Sequence, residues 1–307
     1  MKSTPDNRKP RNKWMHWLAR IGTTFALVGA TWAYLYWLGL VGGLFLLGAL
    51  CGLTAFEFLH SSPLRMPRYR IVLLAVISFF VPYLCHRMLI DPSRSGLTLL
   101  VFEIYLGIFI TLTLLGLRYV ALLKVLSRSI LFPIWGIALP MTALIFTAHY
   151  VVGLGRTSTI ALLWVITIIF VTKATDIGAL LVGSWIGKHK LAPKTSPAKT
   201  IEGAIGGVVV SMLCALLIYL LGNIRLHSLG NPSPDWWNLT RILLASGTIS
   251  IASILGDLYE SSWKRHLSIK NSGSILPGLG GMYDLTDSLI LASPVAYFLI
   301  KYFLLPS

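Results

Sequence analysis

Between Gly256 and Ser288 an otherwise apolar chain places four carboxylates, Asp257, Glu260, Asp284 and Asp287. The same stretch holds three fixed cations, Lys264, Arg265 and Lys270, and a glycine-rich turn, Pro277-Gly278-Leu279-Gly280-Gly281. Carboxylates can hold a divalent cation, cations can hold phosphate, and small residues let backbone approach a ligand; together these are the parts of phosphoryl-transfer chemistry. Asp257 and Glu260 are three apart at the end of an apolar run, so a helix sets them on one face with Lys264 a turn further on. Asp284 and Asp287 repeat that spacing at the start of the last run. Acidic residues suit a helix N-terminus electrostatically, which would account for Asp284 and Asp287 without any ligand. It does not account for Asp257 and Glu260, which sit at the opposite kind of helix end. An ordinary charged loop is the competing reading, and charge at the ends of hydrophobic helices is costly unless it is used.

A second constellation precedes it. Lys173 and Asp176 interrupt an apolar run, and Gly187-Lys188-His189-Lys190-Leu191-Ala192-Pro193 leads into Ser196-Pro197-Ala198-Lys199-Thr200-Ile201-Glu202-Gly203. Ser196-Pro197 has the grammar of a helix start, with Glu202 in the first turn. An anion can dock on the free N–H groups of such a start, beside Lys199 and Thr200.

The elements that must position these groups are membrane spans. The chain has 307 residues, 55% hydrophobic and only 12% charged, with a mean hydropathy of +0.75. Soluble domains carry about 25% charged residues, so this is an all-α polytopic integral membrane protein. About nine runs are long enough to cross: 21–38, 39–59, 71–90, 97–117, 129–152, 159–186, 201–222, 240–259 and 285–305. Ten Trp and twelve Tyr suit two interfacial belts. With the N-terminus cytosolic, 19 of 26 Lys/Arg fall in inside segments, and 187–200 and 260–284 share the cytosolic face. The net charge of +15 therefore reads as topology and headgroup pairing, not nucleic-acid binding. Residues 1–20 form a basic tail, 21–158 an apolar half with Glu57 at a helix end and Glu103 inside a span, and 159–307 the acid-rich half. Glu103 is either a functional intramembrane acid or a hydrogen-bonded packing group. Cys51, Cys85 and Cys214 lie in apolar runs and share no metal-ligand spacing.

In order and spacing from about 170 to 300, these motifs resemble the phosphatidate cytidylyltransferases, or CDP-diacylglycerol synthases. The match rests on Ser-Pro-x-Lys-Thr-x-Glu-Gly, Gly-Asp-Leu-x-Glu-Ser, Lys264-Arg265, Lys270, the glycine turn and the final aspartates. The resemblance implies an enzyme of phospholipid biosynthesis that joins CTP and phosphatidic acid into CDP-diacylglycerol and pyrophosphate, in the bacterial inner membrane, as a homodimer. It implies Mg²⁺, with a second, monovalent cation such as K⁺. Asp257, Asp284 and Asp287 would be the metal ligands, supported by Asp176 and Glu260. Ser196, Lys199, Thr200, Glu202, Gly280 and Gly281 would hold the nucleotide, and Lys264, Arg265 and Lys270 the phosphates. The chain has Asn271, Leu279 and Leu285 where the family has Asp, His and Arg; Thr286 or Lys301 are the candidates to replace the lost arginine. Other readings are a CTP-dependent polyprenol or phytol kinase, a non-catalytic lipid- or nucleotide-binding paralogue, and a transporter using Glu103, Lys173 and Asp176.

Overall fold

A computed structural model describes residues 37, 39, 41–62, 66–91, 95–118, 131–193, 195–228, 238–266 and 281–305. Among them are eight helices long and apolar enough to cross a membrane. They are α1 (Val41–Ser61), α2 (Arg68–Ile90), α3 (Ser95–Arg118), α4 (Pro133–Gly153), α5 (Ser158–Ile186), α6 (Ile201–Ser228), α7 (Leu239–His266) and α8 (Met282–Leu304). The expected span 21–38 and the tail 1–20 lie outside the described residues, Trp37 apart. A chain this apolar satisfies its backbone internally by forming helices, because lipid offers no hydrogen-bonding partner. Large side chains such as Val72, Leu97, Ile108 and Leu213 accordingly stay exposed on the outer faces of α2, α3 and α6.

The core is where α8 passes between the other helices. An aromatic stack of Phe58 (α1), Phe132, Trp263 (α7) and Tyr283 (α8) fills one end, with Phe58 and Trp263 centroids 4.3 Å apart. Toward the other end Phe102 (α3) stacks on Phe146 (α4) at 3.6 Å. There Glu103 accepts hydrogen bonds from Tyr297 (2.7 Å), Tyr302 (2.8 Å) and Lys301, so the intramembrane acid is a packing group that ties α3 to α8.

Helices α5 and α6 pack closely along much of their length. A Cβ on Gly207 would meet the Thr175 carbonyl at 2.7 Å, so the absent side chain is what lets the two backbones approach. Thr175, Ser211 and Ser250 then hydrogen-bond in series and join α5, α6 and α7. In a membrane, where lipid matches the apolar side chains, such contacts specify the packing.

Two expectations about boundaries are corrected. The helix predicted from Ser196 begins at Ile201. Ser196–Thr200 is instead a strand, β2, paired antiparallel with β1 (Lys190–Ala192). Thr200 caps α6, its Oγ1 accepting the Gly203 N–H at 3.1 Å, so the capping signal was real but lay four residues later. Residues 260–266, expected in a loop, continue α7. Trp263 is fully buried there and Glu260 bridges to Lys264 one turn on, which holds the last turns helical.

Candidate active site

The end of the bundle that carries the hairpin gathers the acidic residues. Asp257 and Glu260 come from the last turns of α7, and Asp287 from the second turn of α8. One carboxylate oxygen from each lies within 4.8 Å of the other two. Glu260 is 3% and Asp287 8% exposed. Three carboxylates so close and so sheltered repel strongly unless countercharge is present. The cations are distributed unevenly among them. Lys264 bridges Glu260 and Asp284, and Lys199 lies 2.5 Å from Asp257 Oδ2. Among the described residues no cation lies within ion-pair distance of Asp287, whose Oδ1 accepts only the N–H of Ser288 at 2.5 Å. The trio thus fits a hard divalent cation, which takes oxygen ligands and supplies the missing positive charge.

Asp284, expected among the ligands, stands outside this trio. One oxygen is on Lys264 and the other accepts the Gly281 N–H at 2.9 Å, capping α8. An i, i+3 pair on a helix need not point to one place when a competing cation and free backbone donors are within reach of one member. Asp176, on α5, receives Lys173 Nζ at 3.1 Å and the Ser288 hydroxyl at 3.2 Å on Oδ2.

Beside the trio is a cavity of about 290 Å³ between α5, β2, α6 and α7. Asp176, Gly183, Lys199, Thr200, Gly203 and Asp257 line it. Lys199 brings a sheltered ammonium whose remaining N–H donors have no satisfactory acceptor among the described residues, and that suits an incoming anion. Ser196, Lys199 and Thr200 are therefore set on one strand leading to that wall. Glu202 faces elsewhere: its carboxylate takes the backbone N–H groups of Lys188 (3.1 Å) and His189 (3.2 Å) and the His189 Nδ1 (2.6 Å). Arg265 donates from Nε to the Thr195 carbonyl at 3.0 Å and ties the hairpin to α7. Both residues hold the hairpin that carries Lys199, Glu202 at the entry to β1 and Arg265 at the turn before β2. Lys270 and Gly280 lie outside the described residues.

Two positioning contacts were not read from the sequence. Glu57 of α1 accepts the Tyr283 N–H at 2.9 Å, and Gly281 sits so close that a Cβ there would meet Glu57 Oε2 at 2.6 Å. A lone acid at a helix end was its only signal. Lys173 donates to the Leu285 carbonyl (2.9 Å) and Ser288 Oγ (3.1 Å) as well as to Asp176, and so joins α5 to α8. The two proposed replacements for arginine are placed elsewhere. Thr286 hydrogen-bonds Thr54 at 3.2 Å, and Lys301 is on Glu103, about 21 Å of helix beyond Asp287 at 1.5 Å per residue.

An acidic trio on two membrane-length helices, with a cavity alongside that holds the Lys199 ammonium, marks the site of an all-α, multi-pass membrane protein. The chain belongs to the cytidylyltransferase family, whose model matches residues 18–303. It is similar to the phosphatidate cytidylyltransferase of Bacillus subtilis (strain 168), 37% identical over 155 residues covering 50% of this chain and 54% of that protein. It is likewise similar to the phosphatidate cytidylyltransferase of Staphylococcus haemolyticus (strain JCSC1435), 40% identical over 126 residues, 41% of this chain and 44% of that protein. An uncharacterized protein of Escherichia coli (strain K12), YnbB, is 37% identical over 140 residues, 46% of this chain and 43% of its own length. The chain spans about half the length of the curated relatives it matches.

Proposed function

We propose that this protein is a phosphatidate cytidylyltransferase, which condenses CTP with phosphatidic acid to give CDP-diacylglycerol and pyrophosphate at the cytosolic face of the membrane. The observation that carries this reading is the Asp257–Glu260–Asp287 trio beside the Lys199–Thr200 cavity. Family membership and the named relatives support the substrate pair.

In this reading a phosphatidate oxygen forms a bond to the α-phosphorus of CTP as the bond to the bridging oxygen of pyrophosphate breaks. The attacking phosphate is largely ionised at neutral pH, so no strong general base is needed. What remains is to hold two anions in line against their repulsion. Asp257, Glu260 and Asp287 would hold Mg²⁺, which supplies neutralisation of phosphate charge. Lys199 and Thr200 receive the nucleotide phosphates in the cavity. Lys264 bridges Glu260 and Asp284 and fixes their carboxylates, while Arg265 and Glu202 hold the hairpin against α7 and α6. The lipid approaches from the apolar surround, its headgroup at the depth of the trio.

The test is purified protein in detergent micelles with radiolabelled CTP, phosphatidic acid and Mg²⁺. Labelled CDP-diacylglycerol with stoichiometric pyrophosphate is expected. Release of CDP with phosphorylation of an added polyprenol would assign the kinase reading instead. Nucleotide binding with no product of either kind would assign the non-catalytic one.

A further inference from the structure

Lys173 is an ammonium inside a membrane span, and such a charge is retained when a partner or a function uses it. An ammonium has three N–H donors. All three are matched by oxygens: Asp176 Oδ2 at 3.1 Å, the Leu285 carbonyl at 2.9 Å and Ser288 Oγ at 3.1 Å. The Ser288 hydroxyl in turn donates to Asp176 Oδ2 at 3.2 Å, and the Ser253 hydroxyl reaches Oδ1 at 3.5 Å. One carboxylate, one carbonyl and one hydroxyl around a single positive charge form the kind of all-oxygen nest in which a monovalent metal ion sits. Here the chain fills it with its own side chain.

The nest lies beside the trio. Leu285 and Ser288 flank Asp287 in sequence, so Lys173 grips α8 on either side of that carboxylate without ion-pairing to it. Lys264 behaves differently, since it covers oxygens of both Glu260 and Asp284. The Asp287 oxygens are therefore left for another cation while a fixed positive charge nearby moderates their repulsion with Asp257 and Asp176. That charge acts through a low-dielectric interior, where it is weakly screened.

We infer that Lys173 is a built-in monovalent cation: a positioning residue that lets the trio take up its divalent ion with no potassium or other monovalent ion bound. This deepens the reading of the trio as a divalent-cation site and rests on it.

Mn²⁺ is the probe, with its binding to the full chain in micelles followed by electron paramagnetic resonance. Two buffers are compared, one containing K⁺ and one with N-methyl-D-glucamine as the only monovalent cation. The wild type is expected to bind Mn²⁺ with the same affinity, within twofold, in both. Lys173→Ala is expected to lose at least tenfold in affinity in the potassium-free buffer, because Asp176, the Leu285 carbonyl and Ser288 lose the cation that fixes α8 around Asp287 and that misalignment outweighs the more negative field. Added K⁺ or ammonium should restore it by entering the vacated nest. A merely structural lysine would give no such ionic rescue. Wild-type binding that requires K⁺ would overturn the inference and leave the trio's role standing, as would unchanged affinity in Lys173→Ala. The wild-type comparison decides the matter even if the variant does not fold. Absence of Mn²⁺ binding to the wild type in both buffers would remove the metal reading itself, and this inference with it.

Discussion

Glu57 Oε2 accepts the backbone N–H of Tyr283 at 2.9 Å, so a residue from the first described helix satisfies the free end of the helix that carries Asp287. Gly281 packs against the same carboxylate, with room for a hydrogen only. Among the described residues, the N-terminal helices therefore act on the site from outside the trio and its cavity. Removing the acceptor leaves a buried donor unpaired, so Glu57→Ala should cost about 1–3 kcal/mol, read as a lowered Tm in detergent. Glu57→Gln keeps an acceptor oxygen and should cost less. Gly281→Ala alone should be comparably damaging, yet in a Glu57→Ala background it should cost far less, because the atoms it strikes are gone.

Asp287→Asn removes one negative charge from the trio while keeping the shape of the side chain. Turnover should fall by at least about a hundredfold, as for loss of a preorganised electrostatic group, with expression and Tm unchanged or raised. A variant that turns over normally would exclude this carboxylate from the chemistry.

Lys199→Met should split two affinities that would move together if the residue were only structural. Nucleotide binding loses a charge-assisted contact of about 1.5–3 kcal/mol, so KM for CTP should rise roughly ten- to a hundredfold. Asp257 loses its partner at 2.5 Å and becomes a more negative ligand, so Mn²⁺ binding to the nucleotide-free protein should tighten. Nucleotide titration and metal titration of the same variant check both.

The Glu103–Lys301 pair offers a control at the far end of α8. Lys301→Met leaves Glu103 with two tyrosine hydroxyls and no cation, and should destabilise the protein by about 3–5 kcal/mol. The double change Glu103→Gln with Lys301→Met should recover much of that loss. Turnover per folded molecule should stay within twofold in both, since the pair is about 21 Å from Asp287 along the helix.

Local chemistry carries a long way in this chain. Hydropathy alone places eight described spans to within a few residues at most ends, because each helix must satisfy its own backbone in lipid whatever its neighbours do. The i, i+3 and i+4 spacings likewise place Asp257, Glu260 and Lys264 on one helical face, since that geometry is a property of the helix itself.

Three-dimensional packing decided the rest. Asp284 and Asp287 share a spacing but not a destination, because Lys264 from α7 claims the first and leaves the second to the trio. Glu57, Lys173 and Lys301 look alike in sequence, as single charges in or near apolar runs. Only the meeting of α1, α5 and α3 with different turns of α8 separates a cap, an ammonium beside the acids and a remote brace. The physical reason is reach. A helix fixes relations over one or two turns, whereas a charge acts on whatever the fold brings within a few ångströms, and that depends on contacts more than a hundred residues apart in the chain.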